Sequence, residues 1–294
     1  MVGATLLWSV AGVVTRHLHR ADGLQLVFWR SGVAAVAVAL GLWLRLGGAA
    51  LHRTVRGGGA PLWISAALWC VMYTAFMLAL SLTSVAQTLL ADSVSPLCAA
   101  LLGWLLLAQP VAPRTWGAIA LATLGMLWIC GQDLHGAAGP HALLGLMIAL
   151  CVPLAAAGNW VTMRRAAGLG ALQAAPMLGA AGSAVLVAVL SALRGGRLAV
   201  DGHDLAWLTF LGAFQLALPG VLAVWAAQRL QPAEVGLLGL LEVVFGIAWA
   251  WLGAGEVPSR ATLGGGLLVL GALVANEWLG WWSGARRLRA SQGC

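Results

Sequence analysis

The sequence predicts an all-α integral membrane protein with ten transmembrane helices, arranged as two inverted five-helix repeats. The first observation is composition, because 61% hydrophobic residues, 9% charged residues and a mean hydropathy of +0.92 are too apolar for a water-facing surface. The second is a set of apolar runs, each near the roughly 20 residues that a helix needs to cross a bilayer. The third is an internal repeat, since residues 79–129 return loosely as residues 226–276, at an offset of 147 in a 294-residue chain.

The apolar runs are separated by short segments rich in Gly, Pro and Arg. Ten spans are predicted in chain order, at about 2–18, 24–46, 60–81, 84–108, 113–131, 141–163, 171–193, 203–228, 233–254 and 259–282. The first run is short and begins at Met1, so it is expected to be either a thin first span or a trimmed start. It lacks a small-residue cleavage site and is not predicted to be a signal peptide.

The repeat is carried by more than chance pairs of Leu and Ala. Without gaps, Trp104 aligns with Trp251 and Thr115 with Thr262. Because five spans per copy is an odd number, the second copy enters the membrane from the opposite side. The predicted units are a first repeat at 1–138, a second repeat at 139–285 and a basic tail at 286–294. Inverted repeats hold substrate between the halves near the midplane, which favours an alternating-access transporter over a duplicated scaffold without transport.

Arginine placement predicts the orientation, because all 16 basic residues are Arg. On the side of the membrane that the two termini share, Glu234 is the only acidic residue that offsets the arginines. The arginines on this side are Arg45, Arg53, Arg56, Arg114, Arg164, Arg165, Arg229, Arg286, Arg287 and Arg289. Both termini are therefore predicted to be cytoplasmic. The net charge of +7 is a topology signal, and no nucleic-acid partner is expected, because the arginines are scattered over loops. The cluster at Arg287 is expected to meet anionic membrane lipids.

Metal, cofactor and enzyme chemistry find little support in the sequence. The cysteines form no C-x-x-C pair, the histidines form no H-E-x-x-H motif, and no ATP-binding P-loop occurs. No metal and no cofactor are predicted. An intramembrane lipid-modifying enzyme is a remote alternative, because Ser95 and Asp92 share a helix face but no His lies at their predicted depth. We expect the protein not to be an enzyme.

Polar side chains within apolar spans identify the candidate site, because a charged residue at the membrane centre costs roughly 2.5–3.5 kcal/mol. The fourth span carries Gln87, Asp92 and Ser95 before Pro96, which cannot donate to the carbonyl of Asp92 and so predicts a kink that serves as a hinge. Glu242, aligned with Ser95, is the deeper acid of the second copy. Asp92 could instead cap a helix end, and Glu242 could bond a neighbouring helix.

Further candidates for substrate binding are aromatic or uncharged. Trp8, Tyr73 and Trp160 are expected to stack on or shape a ligand, although each could face lipid or pack in the core. Asn159 and Gln215 join Gln87 and Ser95 as expected hydrogen-bonding groups, while Asp92 and Glu242 are candidates for ammonium contact or proton coupling. Arg30 could pair with Glu242 or extend to the headgroups. This set suits a neutral or zwitterionic amphipathic solute.

Several of these residues fall in patterns that resemble a known family. Ser95-Pro96, Trp104 and Gly117 to Gly125 in the first copy, with Leu241-Glu242 and Gly264 in the second, are similar to the EamA repeat of the drug/metabolite transporter superfamily. The resemblance implies a ten-helix bundle with helices three, four, eight and nine around a central cavity. Two positions depart from the family pattern. Val243 stands where Pro is common, so the kink of the fourth helix need not recur in the ninth, and Gln109 stands where Glu is usual.

Within this family, the overall pattern looks most like the YddG-type bacterial amino-acid exporters. That resemblance implies a multi-pass protein of the bacterial inner membrane that exports small neutral or aromatic amino acids. Export of other metabolites or drugs, such as nucleosides or sugars, is the alternative. The expected partners are a small-molecule substrate and membrane lipids, and no motif selects a monomer or a dimer.

Overall fold

A computed structural model describes residues 1–14, 17–19, 21–82, 88, 91–108, 110–131, 142–254 and 260–292 of the chain. In this part of the chain, all regular secondary structure is helical, which confirms the all-α prediction. The α-helices are α1 (Val2–Trp8), α2 (Ala11–Val14), α3 (Gly23–Leu46), α4 (Gly48–Gly57), α5 (Gly59–Leu82), α6 (Ser95–Leu107), α7 (Pro113–Gly131), α8 (Ala142–Arg165), α9 (Ala175–Leu193), α10 (Gly202–Phe210), α11 (Leu218–Ala227), α12 (Pro232–Gly239), α13 (Leu241–Ala254) and α14 (Arg260–Gln292). A 3₁₀ turn (Gly170–Ala174) precedes α9, and a π-helical segment (Leu211–Ala217) joins α10 to α11.

The chain is a multi-pass membrane protein. Six helical stretches of the described residues are long and apolar enough to cross a bilayer, namely Gly23–Leu46, Gly59–Ala79, Leu143–Arg165, Gly170–Leu193, Gly202–Ala227 and Leu263–Gly280. Of the other predicted spans, one coincides with a single helix of full length and three with shorter or interrupted helices. The run at 2–18 contains α1 and α2, 84–108 contains α6, 113–131 matches α7, and 233–254 is divided between α12 and α13.

Helix α4 lies in a segment that we expected to be a plain connector between the second and third spans. Gly47, with a φ of 79°, ends α3 and turns the chain into α4. Leu51 and Val55 pack against the main hydrophobic core, whereas Arg53 and Arg56 are exposed. The helix is therefore amphipathic and suited to the membrane surface. At the other end of the chain, α14 extends beyond the predicted span into the basic tail at 286–294.

The core around the site is formed where α5 packs against α8 and α9. Trp69 of α5 is fully buried there. Gly179 of α9 permits the close approach, because a Cβ at this position would overlap the Trp69 side chain and lie 2.9 Å from the carbonyl oxygen of Ala66. The tight contact fixes the face of α5 that carries the large aromatic side chains.

The connector before α3 and the helix itself are hydrogen-bonded to the start of α10 and to the segment before it. The buried Asp204 carboxylate accepts from the backbone N–H groups of His19 (2.9 Å) and Ala21 (3.0 Å). Beside it, Trp29 Nε1 donates to the carbonyl oxygen of Leu198 at 2.7 Å. Residues more than 160 positions apart are thereby joined at one end of the bundle.

Candidate functional site

A cavity lies between the helices of the bundle and is lined by residues from both halves of the chain. The space between its lining residues is about 780 Å³, including the part that is open to the outside. The predicted site residues that line it are Trp8, Tyr73, Asp92, Ser95, Trp160, Gln215 and Glu242. Gln87, which was also predicted to bind substrate, lies outside the described residues.

Asn159 was expected in the cavity, but it lies in the interface between α5 and α8. It is fully buried, and its Oδ1 accepts from Ser65 Oγ at 2.7 Å. Neighbouring residues on a helix point about 100° apart, as the 3.6-residue turn requires. Because Trp160 lines the cavity, Asn159 is turned toward α5, and a direct contact between Asn159 and substrate is not supported.

Pro96 begins a helix instead of kinking one, which corrects the predicted hinge geometry. Ser93 and Val94 form a turn, α6 starts at Ser95, and Pro96 occupies its first turn, where a missing N–H costs no helical hydrogen bond. The second copy is interrupted at Leu240, between α12 and α13, although Val243 replaces the proline there. Ser93 and Leu240 are 147 residues apart (240 − 93), which is the offset of the sequence repeat.

The two helix interruptions bring acids to the cavity wall. Ser95 hydrogen-bonds the Asp92 carboxylate, and Glu242 lies in the first turn of α13, where free backbone N–H groups favour negative charge. Glu242 interacts electrostatically with both Asp92 and Arg30. Discontinuous helices with polar residues at the break are the usual binding elements of inverted-repeat transporters.

Trp69, on the aromatic wall of the cavity, was missed by the sequence analysis. Its ring centroid lies 5.1 Å from that of Tyr73, 5.7 Å from that of Trp160 and 6.3 Å from that of Trp8. Trp69, Tyr73 and Phe76 all line the cavity from α5. Their spacing of four and then three residues places them on one helix face, and this periodicity was a signal available in the sequence.

Gln215 enters the cavity from the π-helical segment, a type of helix distortion that is frequent at functional sites. Its Nε2 donates to the backbone carbonyl oxygen of Trp8 at 3.2 Å, which is free because α1 ends at that residue. Nearby, Trp249 Nε1 donates to Ser9 Oγ at 3.0 Å. The break after α1 is therefore held by side chains from the second half of the chain.

Three cavity residues carry buried polar atoms that have no hydrogen-bond partner in the described structure. They are Arg30 Nε, Trp69 Nε1 and Gln215 Oε1. Buried polar groups are normally paired, because an unpaired one costs about 1–3 kcal/mol. Two donors and one acceptor in the cavity wall thus lack a protein partner among the described residues.

The described residues contain one group with potential metal ligands, and it lies away from the cavity. Ligand atoms of His19, His203 and Asp204 lie within 4.8 Å of one another. The ring nitrogens of His203 already have protein neighbours, since Nδ1 is 3.4 Å from Asp204 Oδ1 and Nε2 accepts from Trp207 Nε1 at 3.2 Å. These contacts join the segments around the bundle end without requiring an ion.

Comparison with solved structures finds 28 similar chains. One of them, described only as "Crystal structure of protein", has a TM-score of 0.79, with 98% of this chain and 97% of that chain covered. At 19% sequence identity, this likeness shows a shared fold alone. Among curated proteins, no match is found.

The comparison with protein families is decisive for the class of protein. The EamA-like transporter family matches residues 1–131 and again residues 143–276, so each half of the chain carries one family domain. The resemblance predicted from the motifs is confirmed at this level, and the chain is a transporter rather than an enzyme. The protein belongs to the EamA-like transporter family.

Proposed function

We propose that this protein is an alternating-access secondary transporter that exports small neutral or aromatic amino acids across the bacterial inner membrane, as YddG-type exporters do. The observation that carries the proposal is the chemistry of the cavity. Trp8, Trp69, Tyr73 and Trp160 form an apolar aromatic wall for a side chain. Gln215 and Glu242 supply acceptors suited to an ammonium group.

The paired helix interruptions support alternating access between two inverted five-helix repeats. They recur at the offset of the sequence repeat, and each lies next to a cavity acid, Asp92 or Glu242. In this proposal, ten spans cross the membrane and the two domains rock about the cavity. Exposed Arg53 and Arg56 on amphipathic α4 agree with a cytoplasmic placement of that end, and of both termini.

Counterflow in proteoliposomes tests the proposal, using labelled aromatic, aliphatic and small polar amino acids, nucleosides and sugars. We expect accelerated exchange of aromatic or other neutral amino acids, with large losses in Trp160→Ala and Glu242→Gln. Trp104→Ala is the control for the aromatic change, because Trp104 is 59% exposed on the outer surface of α6. Glu234→Gln is the control for charge, because Glu234 accepts from the Gln231 N–H at a helix start, and a Gln side chain keeps an acceptor there.

The outcomes separate the substrate classes. Exchange confined to nucleosides or sugars would remove the amino-acid assignment while keeping the transporter. Equal losses in Trp160→Ala and Trp104→Ala would show that the cavity aromatics have no special part in transport.

A further inference from the structure

Arg30 is a buried cation that has no direct ion pair among the described residues. It is 3% exposed, lies on α3 and lines the cavity. Its Nε–H has no acceptor, and no carboxylate of the described residues forms an ion pair with the guanidinium. Glu242 acts on the guanidinium electrostatically without an ion-pair contact. A buried guanidinium normally requires hydrogen-bonded anions, because its removal from water costs several kcal/mol.

Trp69 supplies a second unused donor on the same side of the cavity. Its indole is fully buried, and Nε1–H has no acceptor among the described residues. Tyr73 connects the two groups, because its ring lies 5.1 Å from the Trp69 ring and it interacts electrostatically with Arg30. Buried indole N–H groups usually have a partner, so both donors lack the acceptor that their burial calls for.

The cavity also presents acceptors. Gln215 Oε1 has no partner in the described structure, and Glu242 is an acid that lines the cavity. The two unpartnered donors therefore lie on α3 and α5, whereas these acceptors lie on the π-helical segment and α13. A solute that has an anionic group and a cationic group would satisfy both sets.

We propose that Arg30 and Trp69 form a carboxylate subsite, and that solutes of this transporter are selected for a carboxylate group. Arg30 Nε–H and Trp69 Nε1–H donate to the two carboxylate oxygens, while Gln215 and Glu242 receive the ammonium group. This inference rests on the proposed function and deepens it, because it makes the carboxylate, and not the aromatic ring alone, a requirement for binding.

Calorimetric titration of the purified, full-length protein in lipid nanodiscs tests the subsite directly. The probes are phenylalanine, phenethylamine, which lacks the carboxylate, and 3-phenylpropionate, which lacks the ammonium group. We expect phenethylamine to bind about tenfold or more weakly than phenylalanine, as loss of a hydrogen bond to a charged group predicts. Arg30→Gln should weaken binding of phenylalanine and 3-phenylpropionate and leave that of phenethylamine within about twofold. Trp69→Phe should weaken binding of phenylalanine and 3-phenylpropionate more than that of phenethylamine, because it removes the N–H donor as well as part of the aromatic wall.

Two further variants protect the test against misfolding. Arg30→Lys keeps the charge and should retain part of the preference for phenylalanine over phenethylamine. Arg194→Gln changes an arginine that is exposed outside the cavity and should leave all three affinities unchanged. Trp69→Phe keeps an aromatic ring in the core, so it remains informative if the Arg30 variants do not fold.

The results distinguish this inference from the proposed function. Equal affinity for phenylalanine and phenethylamine, or equal weakening of both by Arg30→Gln, would overturn the carboxylate subsite and leave amino-acid transport intact. Binding of 3-phenylpropionate without phenylalanine, sensitive to Arg30→Gln, would keep the subsite and overturn the amino-acid assignment. If neither phenylalanine nor 3-phenylpropionate binds, the carboxylate subsite and the amino-acid assignment are both overturned.

Discussion

Gln215 Nε2 donates to the backbone carbonyl oxygen of Trp8 at 3.2 Å, which joins the π-helical segment of the second family domain to the end of α1 in the first. One side chain of the cavity wall thereby holds a helix break, while its Oε1 has no partner among the described residues. A substitution here should therefore affect the joint between the domains and solute binding together.

Gln215→Leu should lower both the apparent affinity for substrate and the thermal stability. The change removes the bond to Trp8 and the acceptor, and each loss is worth about 1 kcal/mol. Loss of the acceptor should therefore lower the affinity measured in counterflow about fivefold. Gln173→Leu is the control, since Gln173 lies outside the cavity and its side chain accepts a solvent-exposed hydrogen bond from Arg45 at 3.4 Å. Unchanged affinity in Gln215→Leu would contradict a binding role for this side chain.

Trp160→Ala should reduce transport and stability, whereas Trp104→Ala should change little. Trp160 is 4% exposed and packs edge-to-face on Trp69, so its truncation leaves a hole in the core and costs about 3–5 kcal/mol. Trp104 faces outward, where lipid replaces the lost contacts. The two variants are compared by their melting temperatures in detergent and by their counterflow rates. Similar decreases in melting temperature for both variants would contradict the core role of Trp160.

Gly179→Ala should destabilise the packing of α9 on α5 far more than Gly182→Ala does. A Cβ at Gly179 overlaps Trp69 and approaches the Ala66 carbonyl at 2.9 Å, whereas a Cβ at Gly182 meets Cys70 Sγ at 3.4 Å. Overpacking costs about 1–3 kcal/mol. Thermal unfolding measures the difference, and Gly179→Ala should also weaken substrate binding because Trp69 must shift. Equal stability of the two variants would show that the helices separate without cost.

Asp204→Asn should weaken the connection between the segments around α3 and α10. Both carboxylate oxygens accept backbone N–H groups, from His19 and Ala21, and an amide would direct an NH₂ donor at one of them. The unpaired donor costs about 1–3 kcal/mol, which should lower the melting temperature. Asp201→Asn is the control, because Asp201 caps α10 through Oδ1, and Asn is an equally good cap. A loss of stability in Asp201→Asn that matches the one in Asp204→Asn would contradict this role.

Some features of the site depend only on local sequence and were predictable for that reason. The apolar runs, the aligned Trp and Thr pairs and the polar residues within spans follow from composition and spacing, which led to Asp92, Glu242 and Trp160. Helical periodicity also predicts that Trp69 and Tyr73 share one face of α5, although Trp69 was not among the predicted site residues.

Other features depend on contacts between distant segments. The second copy is interrupted at Leu240 without a proline, so the residue type at the break does not by itself predict it. Asn159 accepts a hydrogen bond from Ser65 in the interface between α5 and α8 and does not line the cavity. Leu51 and Val55 of α4 pack against the main hydrophobic core.

The sequence by itself determined the membrane environment, the duplication and the family, because hydropathy, repeat offset and motif residues are carried by the linear chain. The tertiary structure decided which polar groups share one cavity and which of them lack partners, such as Arg30, Trp69 and Gln215. The physical reason is that a hydrogen bond or an electrostatic contact depends on distance in space, and these three residues lie on different helices that only packing brings together.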